Sequence, residues 1–451
     1  MSGSGHRPAR LLPSWFGDAK LGIFVLWTPS AVPAFAPLAD PSTPSVGELP
    51  YSEMYLNSMH IEGSSTARHH AERYGGRPYD DFVREFREGV EHWDPKPWAD
   101  LFAQAGAKYV ILAVKHQDGF LLWPSKHPNP HKAGWQAERD VVGDLGAAVR
   151  ARGLRFGALY VGGVDYTFTP PPFSDGASLQ AAIPQHQEYA DYVDGHWREL
   201  VERYELDVLW NNIGYPVAAD PAALVEWYRE RVPDGVTNDR FGPQIARRLE
   251  AGEQDGYTDF TTVSQSDDQG YGPEARKWEL CRGVGTSFGY NRQEVDEHYA
   301  SSTELIQELC DCVARGGNLL LGVGPTAAGN VPWSQAKRLL AIGRWLRENG
   351  AALYGTRPWD RPAGATAHGL PVRYTQSEDG VHAIVLGSPA SAAIELDVSL
   401  ADGAAATLLG GGHTLTWERT AHGTRVGLPE LPDERPALAL RFAPATAVEP
   451  R

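Results

Sequence analysis

The chain has 451 residues, 42% of them hydrophobic, which is enough for one large domain and a smaller one. A formal charge of −16 and a pI near 5.4 argue against a nucleic-acid or anionic-membrane partner, since either needs a basic face. Cys281, Cys310 and Cys312 lack metal-site spacing, the N-terminus has no apolar signal core, and no run of ~20 apolar residues occurs; a cytoplasmic protein with reduced thiols and no cofactor or metal is expected.

In chain order, short apolar runs alternate with amphipathic stretches. The runs are LGIFVLW (21–27), YVILAVK (109–115), RFGALYVGG (155–163), LDVLWNN (206–212), VTNDR (236–240), DFTTV (259–263), WELCRGVGTSFGY (278–290) and NLLLGVG (318–324). Continuous apolar runs suit strands covered on both faces of a parallel sheet. PWADLFAQAGA and DVVGDLGAAVRARG, with apolar residues at three- and four-residue spacing, predict helices between them. The second of these, like SSTELIQELCDCVARGG, stops at glycine. Eight strands and their helices predict an α/β fold, a (β/α)8-like (TIM) barrel over residues 1–350. No G-x-G-x-x-G follows the first strand, so a dinucleotide fold has little support. KHQDGF, GGVDYTF, NNIGYP and TNDRFG put polar residues directly after strands, at the end of a barrel that carries the active site.

After residue 355 apolar and polar residues alternate and turn at Gly and Asp, as in VRYTQSEDGVHAIVLG and AAIELDVSL. That texture predicts a small antiparallel β-sandwich over 351–451, with GTRPWDRPAGA as its linker. The aromatic content, with 14 Trp and 18 Tyr, offers flat faces for the apolar side of sugar rings.

WFGDAKLGIFVLW, HWDPKPWADLFAQAGAKYVILAVKHQDGFLLWPS, VLWNNIGYP, NDRFG and KWELCRGVGTSFGYNRQE, in this order, resemble glycoside hydrolase family 29, the α-L-fucosidases. The resemblance implies a catalytic barrel with a C-terminal β-sandwich. It also implies retaining hydrolysis, in which an aspartate attacks the anomeric carbon and a glutamic acid protonates the leaving oxygen.

Carried over residue by residue, the L-W-N-D pattern puts Asn212 at the nucleophile position, and D-F-x-T-x-E puts Ser264 at the acid/base position. The histidine of G-I-F-I-H-W-G is Leu26 here, the second histidine of K-H-H-D-G-F is Gln117, and the tryptophan of E-W-Y is Met54 beside a retained Glu53. His116, Tyr160, Trp210 and Arg240 are retained sugar-binding positions. Five departures together read as natural divergence, with an engineered nucleophile change as the alternative.

An amide cannot form a glycosyl ester, and serine is no acid at neutral pH. The first expectation is therefore a sugar-binding enzyme of non-standard mechanism, acting on a sugar or glycosylated small molecule, with His116 as an acid/base candidate. A conventional retaining α-L-fucosidase, engineered or with a displaced carboxylate at Glu253, Asp255, Asp267, Asp268, Glu274 or Glu279, is the second. A non-catalytic sugar-binding protein is the third. Lys115, Asp118 and Asn211 read as scaffold, and His69 and His70, adjacent on a helix, as structural or rim residues rather than a metal pair.

Overall fold

Eight short strands occupy the apolar runs: β1 (Leu21–Val25), β2 (Tyr109–Lys115), β3 (Arg155–Val161), β4 (Val208–Asn212), β5 (Val236–Thr237), β6 (Thr261–Ser264), β7 (Trp278–Gly283) and β8 (Asn318–Val323). The computed structural model describes residues 10–38, 45–245, 255–264, 276–431 and 434–451. The strands pair in parallel in the order β5–β4–β3–β2–β1–β8–β7–β6, and a bridge between Asn238 and Phe260 brings the two ends together. The sheet thus curls into a barrel.

The apolar runs are continuous because both faces are covered. In β2, Tyr109, Ile111 and Ala113 point into the barrel, while Val110, Leu112 and Val114 meet the surrounding helices. This period of two decides which side chains can reach the barrel axis. Gly22 is required by that interior, since a Cβ there would lie 2.3 Å from the Tyr109 ring.

The predicted helices form as Lys96–Gln104, Val141–Arg150 and Ser302–Ala314. The last begins with a capping box: the Glu304 N–H donates to Ser301 Oγ at 3.1 Å, and the Ser301 N–H donates to Glu304 Oε2 at 2.7 Å. No helix among the described residues is long and apolar enough to cross a membrane.

Antiparallel sheets of six, three and two strands follow the barrel. GTRPWDRPAGA, expected as a linker, is instead largely a strand: Arg357–Ala365 forms the edge of the six-stranded sheet and pairs with Pro371–Ser377. An edge tolerates Pro358 and Pro362, which have no N–H for a ladder. In Gly380–Leu386, Val381, Ala383 and Val385 face the sandwich core while Ile384 and Leu386 pack with the barrel's helices. Trp345 Nε1 donates to Ala437 O at 3.0 Å across this seam.

Candidate active site

At the C-terminal ends of the strands a small pocket of about 90 Å³ opens. One wall is apolar, built from Phe24, Leu26, Leu159, Cys281 and Phe288. The rest is aromatic or polar: Trp210, Glu53, His116, Asn212, Arg240, Thr262 and Ser264.

The alternation of β4 selects its contribution. Trp210 and Asn212 line the pocket, and Asn211 turns away, its Nδ2 donating to Gly214 O at 2.8 Å. The chain then makes a sharp turn through Ile213 (φ 54) and Gly214 (φ 77). A β-branched residue at positive φ is strained, by about 1–3 kcal/mol, and such strain concentrates at functional sites. The loop after β3 makes room for it: a Cβ on Gly163 would lie 1.9 Å from Ile213 O.

Arg240 ties the pocket together. Its Nη1 donates to Asn212 Oδ1 at 3.2 Å and its Nη2 to Ser264 Oγ at 3.3 Å, while the guanidinium carbon sits 5.6 Å from the Trp210 ring centroid. One cation therefore spans the two positions that the resemblance marks as nucleophile and acid/base. Trp210 is held from beneath, its Nε1 donating to Glu279 Oε1 at 3.0 Å.

Three ionisable groups show what the site can do with protons. Burial raises the Glu53 carboxyl to about 7, against hydrogen bonds from the Gly289 N–H (3.1 Å) and the Ser287 hydroxyl (3.4 Å) that favour its charged form. It can therefore hold a proton near neutral pH. Burial, and then the charge of Lys115, lower His116 to about 3. A neutral imidazole in the lining serves as a hydrogen-bonding group. Glu279 is also raised to about 7 by burial, but it lies one layer deeper, bonded by Tyr109 and Trp210.

Other expected residues stand outside the lining. Tyr160 follows Leu159 and so faces the opposite way; its hydroxyl pairs with His196 Nδ1 at 2.8 Å among outward-packed residues. Its assignment to sugar binding is corrected on that geometry. Gln117 is buried behind the pocket in the turn after β2, its Oε1 accepting from Tyr166 OH at 3.1 Å. Met54 is buried beside Glu53 in the turn Ser52–Met54 and is not part of the wall. Asp255 is engaged with its own turn, accepting from the N–H groups of Tyr257 (3.1 Å) and Thr258 (2.9 Å). Glu253, Asp267, Asp268 and Glu274 lie outside the described residues.

The residues read as scaffold are all engaged in buried contacts. Lys115 and Asp165 form a fully buried ion pair at 2.9 Å, Asp118 accepts from Tyr79 OH at 2.9 Å, and His70 Nδ1 pairs with Tyr55 OH at 2.9 Å. No group of metal-binding residues occurs among the described residues. Sequence reasoning missed Phe24, Leu159, Thr262, Cys281 and Phe288; the period-two rule applied to the strand ends would have found all but Phe288, which lies in a loop.

The family model described as "Alpha-L-fucosidase" matches residues 5–351. The chain belongs to the α-L-fucosidase family. It is 32% identical to the tissue α-L-fucosidase of Rattus norvegicus, over 94% of this chain and 87% of that protein. It is 33% identical to the α-L-fucosidase of Dictyostelium discoideum, over 78% and 73%. An α-L-fucosynthase of Thermotoga maritima, solved with α-L-Fuc-(1-2)-β-L-Fuc-N3, superposes with a TM-score of 0.86 at 37% identity, covering 96% of this chain and 97% of that one. The α-fucosidase of the same organism, solved with fucose, superposes at 0.84 and 36%, with the same coverage. The family's named members are glycoside hydrolases, and the barrel with its β-sandwich is the family's architecture.

Proposed function

We propose that this protein hydrolyses terminal α-L-fucosides, holding the fucose in the barrel pocket. The observation that carries the reading is the pocket's division into two halves. Arg240, His116, Asn212 and Ser264 offer hydrogen bonds to hydroxyls, and Phe24, Leu26, Leu159 and Phe288 offer an apolar wall to the methyl group of a deoxysugar. The fucose complex of the 36%-identical Thermotoga maritima enzyme supports it.

Glu53 is the proton carrier of the pocket. Uncharged below about pH 7, it can protonate the leaving oxygen as the anomeric C–O bond breaks. Retaining hydrolysis needs a second carboxyl to form the glycosyl ester. Asn212 cannot supply it, so the acids for that role are Glu253, Asp267, Asp268 and Glu274, which flank Arg240 and Ser264 along the chain.

A second reading, fucosyl binding or transfer without a fucosyl-enzyme ester, is favoured by one contact set. Arg240 is shared between two neutral groups, Asn212 and Ser264.

The test is release of 4-nitrophenol from its α-L-fucoside by the wild-type chain, by Asn212→Asp, and by Glu253→Gln, Asp267→Asn, Asp268→Asn and Glu274→Gln. Hydrolysis by the wild type, abolished in one of the four acid-to-amide variants, supports displaced-carboxyl hydrolysis. A silent wild type that gains activity as Asn212→Asp overturns it in favour of the second reading.

A further inference from the structure

The loop after β7 carries a second buried acid, Glu294, which stands outside the pocket lining. Its carboxylate holds the loop itself. Glu294 Oε1 accepts from the N–H groups of Thr286 (2.7 Å) and Ser287 (2.9 Å), so one oxygen fixes two successive peptides. The Tyr299 hydroxyl bonds the same carboxyl. Gly285 is required beside it, since a Cβ there would lie 2.7 Å from Glu294 Oε2. The Glu294 N–H donates to Asn291 O at 3.2 Å, and the Asn291 side chain exchanges two hydrogen bonds with the backbone of Ala36, at 3.2 and 3.1 Å. The loop after β1 thus anchors the acid.

Ser287 passes this order on to the pocket. Its N–H belongs to Glu294, while its hydroxyl belongs to the turn that carries Glu53. Ser287 Oγ accepts from the Ser52 N–H at 3.0 Å and lies 3.4 Å from Glu53 Oε2. Two residues on, the Gly289 N–H donates to the same Glu53 oxygen at 3.1 Å. A Cβ on Gly289 would lie 2.7 Å from Ser52 Oγ and 3.2 Å from Glu53 Oε2, so only a bare backbone comes this close. Among the described residues, the hydrogen bonds that other residues give the Glu53 carboxyl come from the segment that Glu294 ties down.

The arrangement acts on the Glu53 proton in two opposed ways. Hydrogen-bond donors favour the carboxylate, and a neighbouring negative charge favours the acid. Ser287 and Gly289 supply the first influence, and an ionised Glu294 supplies the second. The other titratable or charged groups facing Glu53 are Tyr51, and His116 and Arg240 in the pocket lining. Burial and the charge of Glu53 raise the Tyr51 hydroxyl, burial lowers His116 to about 3, and a guanidinium stays charged throughout. Burial raises Glu294 to about 7, and the charge of Glu53 pushes the same way. Of these groups, Glu294 alone changes charge in the range where Glu53 does.

We propose that Glu294 is the positioning residue of the proton carrier: through Ser287 it aims the donors that face Glu53, and through its own charge it governs when Glu53 lets its proton go. This rests on the reading of Glu53 given above. The two carboxyls then release their protons as a coupled pair.

The test is infrared spectroscopy of the full chain across the neutral pH range, following the carbonyl stretch of protonated Glu53. Each spectrum is differenced against the same protein carrying Glu53→Gln, which isolates that band. Glu294→Gln keeps an oxygen to accept from Thr286 and Ser287 but never ionises, so the Glu53 midpoint should fall by about half a pH unit or more. Ser287→Ala keeps its N–H on Glu294 and loses only the hydroxyl, so the midpoint should rise. A residue that merely held the fold would not move the two variants in opposite directions. An unmoved midpoint in Glu294→Gln, or shifts of one sign in both variants, overturns the proposal. Should Glu294→Gln fail to fold, Ser287→Ala decides: a rise supports the proposal, and an unmoved or lowered midpoint overturns it. With 4-nitrophenyl α-L-fucoside as substrate, the alkaline limb of kcat/KM should follow the infrared midpoint in each variant. A chain that cleaves no fucoside overturns the hydrolytic reading, while the infrared midpoints still decide the role of Glu294.

Discussion

Glu279 sits inside the barrel with no exposure, bonded by the Tyr109 hydroxyl and by Trp210 Nε1 at 3.0 Å, and burial raises its carboxyl from 4.5 to about 7. Because the folded value is the higher one, the folded chain holds a proton that the unfolded chain has released between those two pH values. Its contribution to stability is thus fully present below about pH 4.5 and is lost as pH rises through 7. At 1.36 kcal/mol per pH unit, the whole window is worth about 3 kcal/mol. Glu279→Gln mimics the protonated form: its oxygen accepts from Trp210, its amide donates to the Tyr109 hydroxyl, and nothing titrates. The variant should gain on the wild type as pH rises from 5 to 8, by about 3 kcal/mol, or about 3 °C in Tm for a chain of this size. The assay is thermal unfolding of both proteins across that range. Taking the difference removes the pH dependence of Glu53 and Glu294, which the two share. Parallel Tm–pH curves would show that Glu279 keeps an ordinary carboxylate pKa in the fold and would refute the reasoning.

Arg240→Met removes the two donors that span Asn212 and Ser264, and with them the pocket's cation; fucose binding, measured by calorimetry, should weaken about 10- to 100-fold while Tm stays within about 2 °C. Tyr160→Phe should lower stability by about 1–2 kcal/mol through the lost His196 bond and leave kcat/KM within about twofold; a large rise in KM would return Tyr160 to the pocket. Lys115→Met strands the buried Asp165 and should cost about 3–5 kcal/mol, read as lost soluble yield or a lowered Tm. If Glu53 donates the leaving-group proton, kcat/KM should be level below about pH 7 and fall above it, and Glu53→Gln should abolish that limb.

Along the chain, much of this could be read directly. The eight apolar runs became strands because each is covered on both faces, which is a local property of composition. Asn212 and Ser264 could be placed at strand ends because motif order and strand order coincide. The sequence also contained the alternation that separates Leu159 from Tyr160 and Trp210 from Asn211, though a resemblance by motif passes over it: a motif preserves position along the chain, and a pleat assigns direction. Arg357–Ala365 looked like a linker because its prolines and glycines break regular structure, and only the partner strand Pro371–Ser377 shows that this segment is an edge, where missing N–H groups cost little.

The protonation states belong to the tertiary structure alone. Nothing local in SEMY, KHQDGF or KWEL distinguishes a carboxyl near 7 from one near 4.5, or an imidazole near 3 from an ordinary one. Those values come from how completely distant strands and loops exclude water from Glu53, His116 and Glu279. The sharing of Arg240 between Asn212 and Ser264 is decided the same way. The barrel brings together residues tens to hundreds of positions apart, and the sequence by itself supplies their chemistry but not their distances.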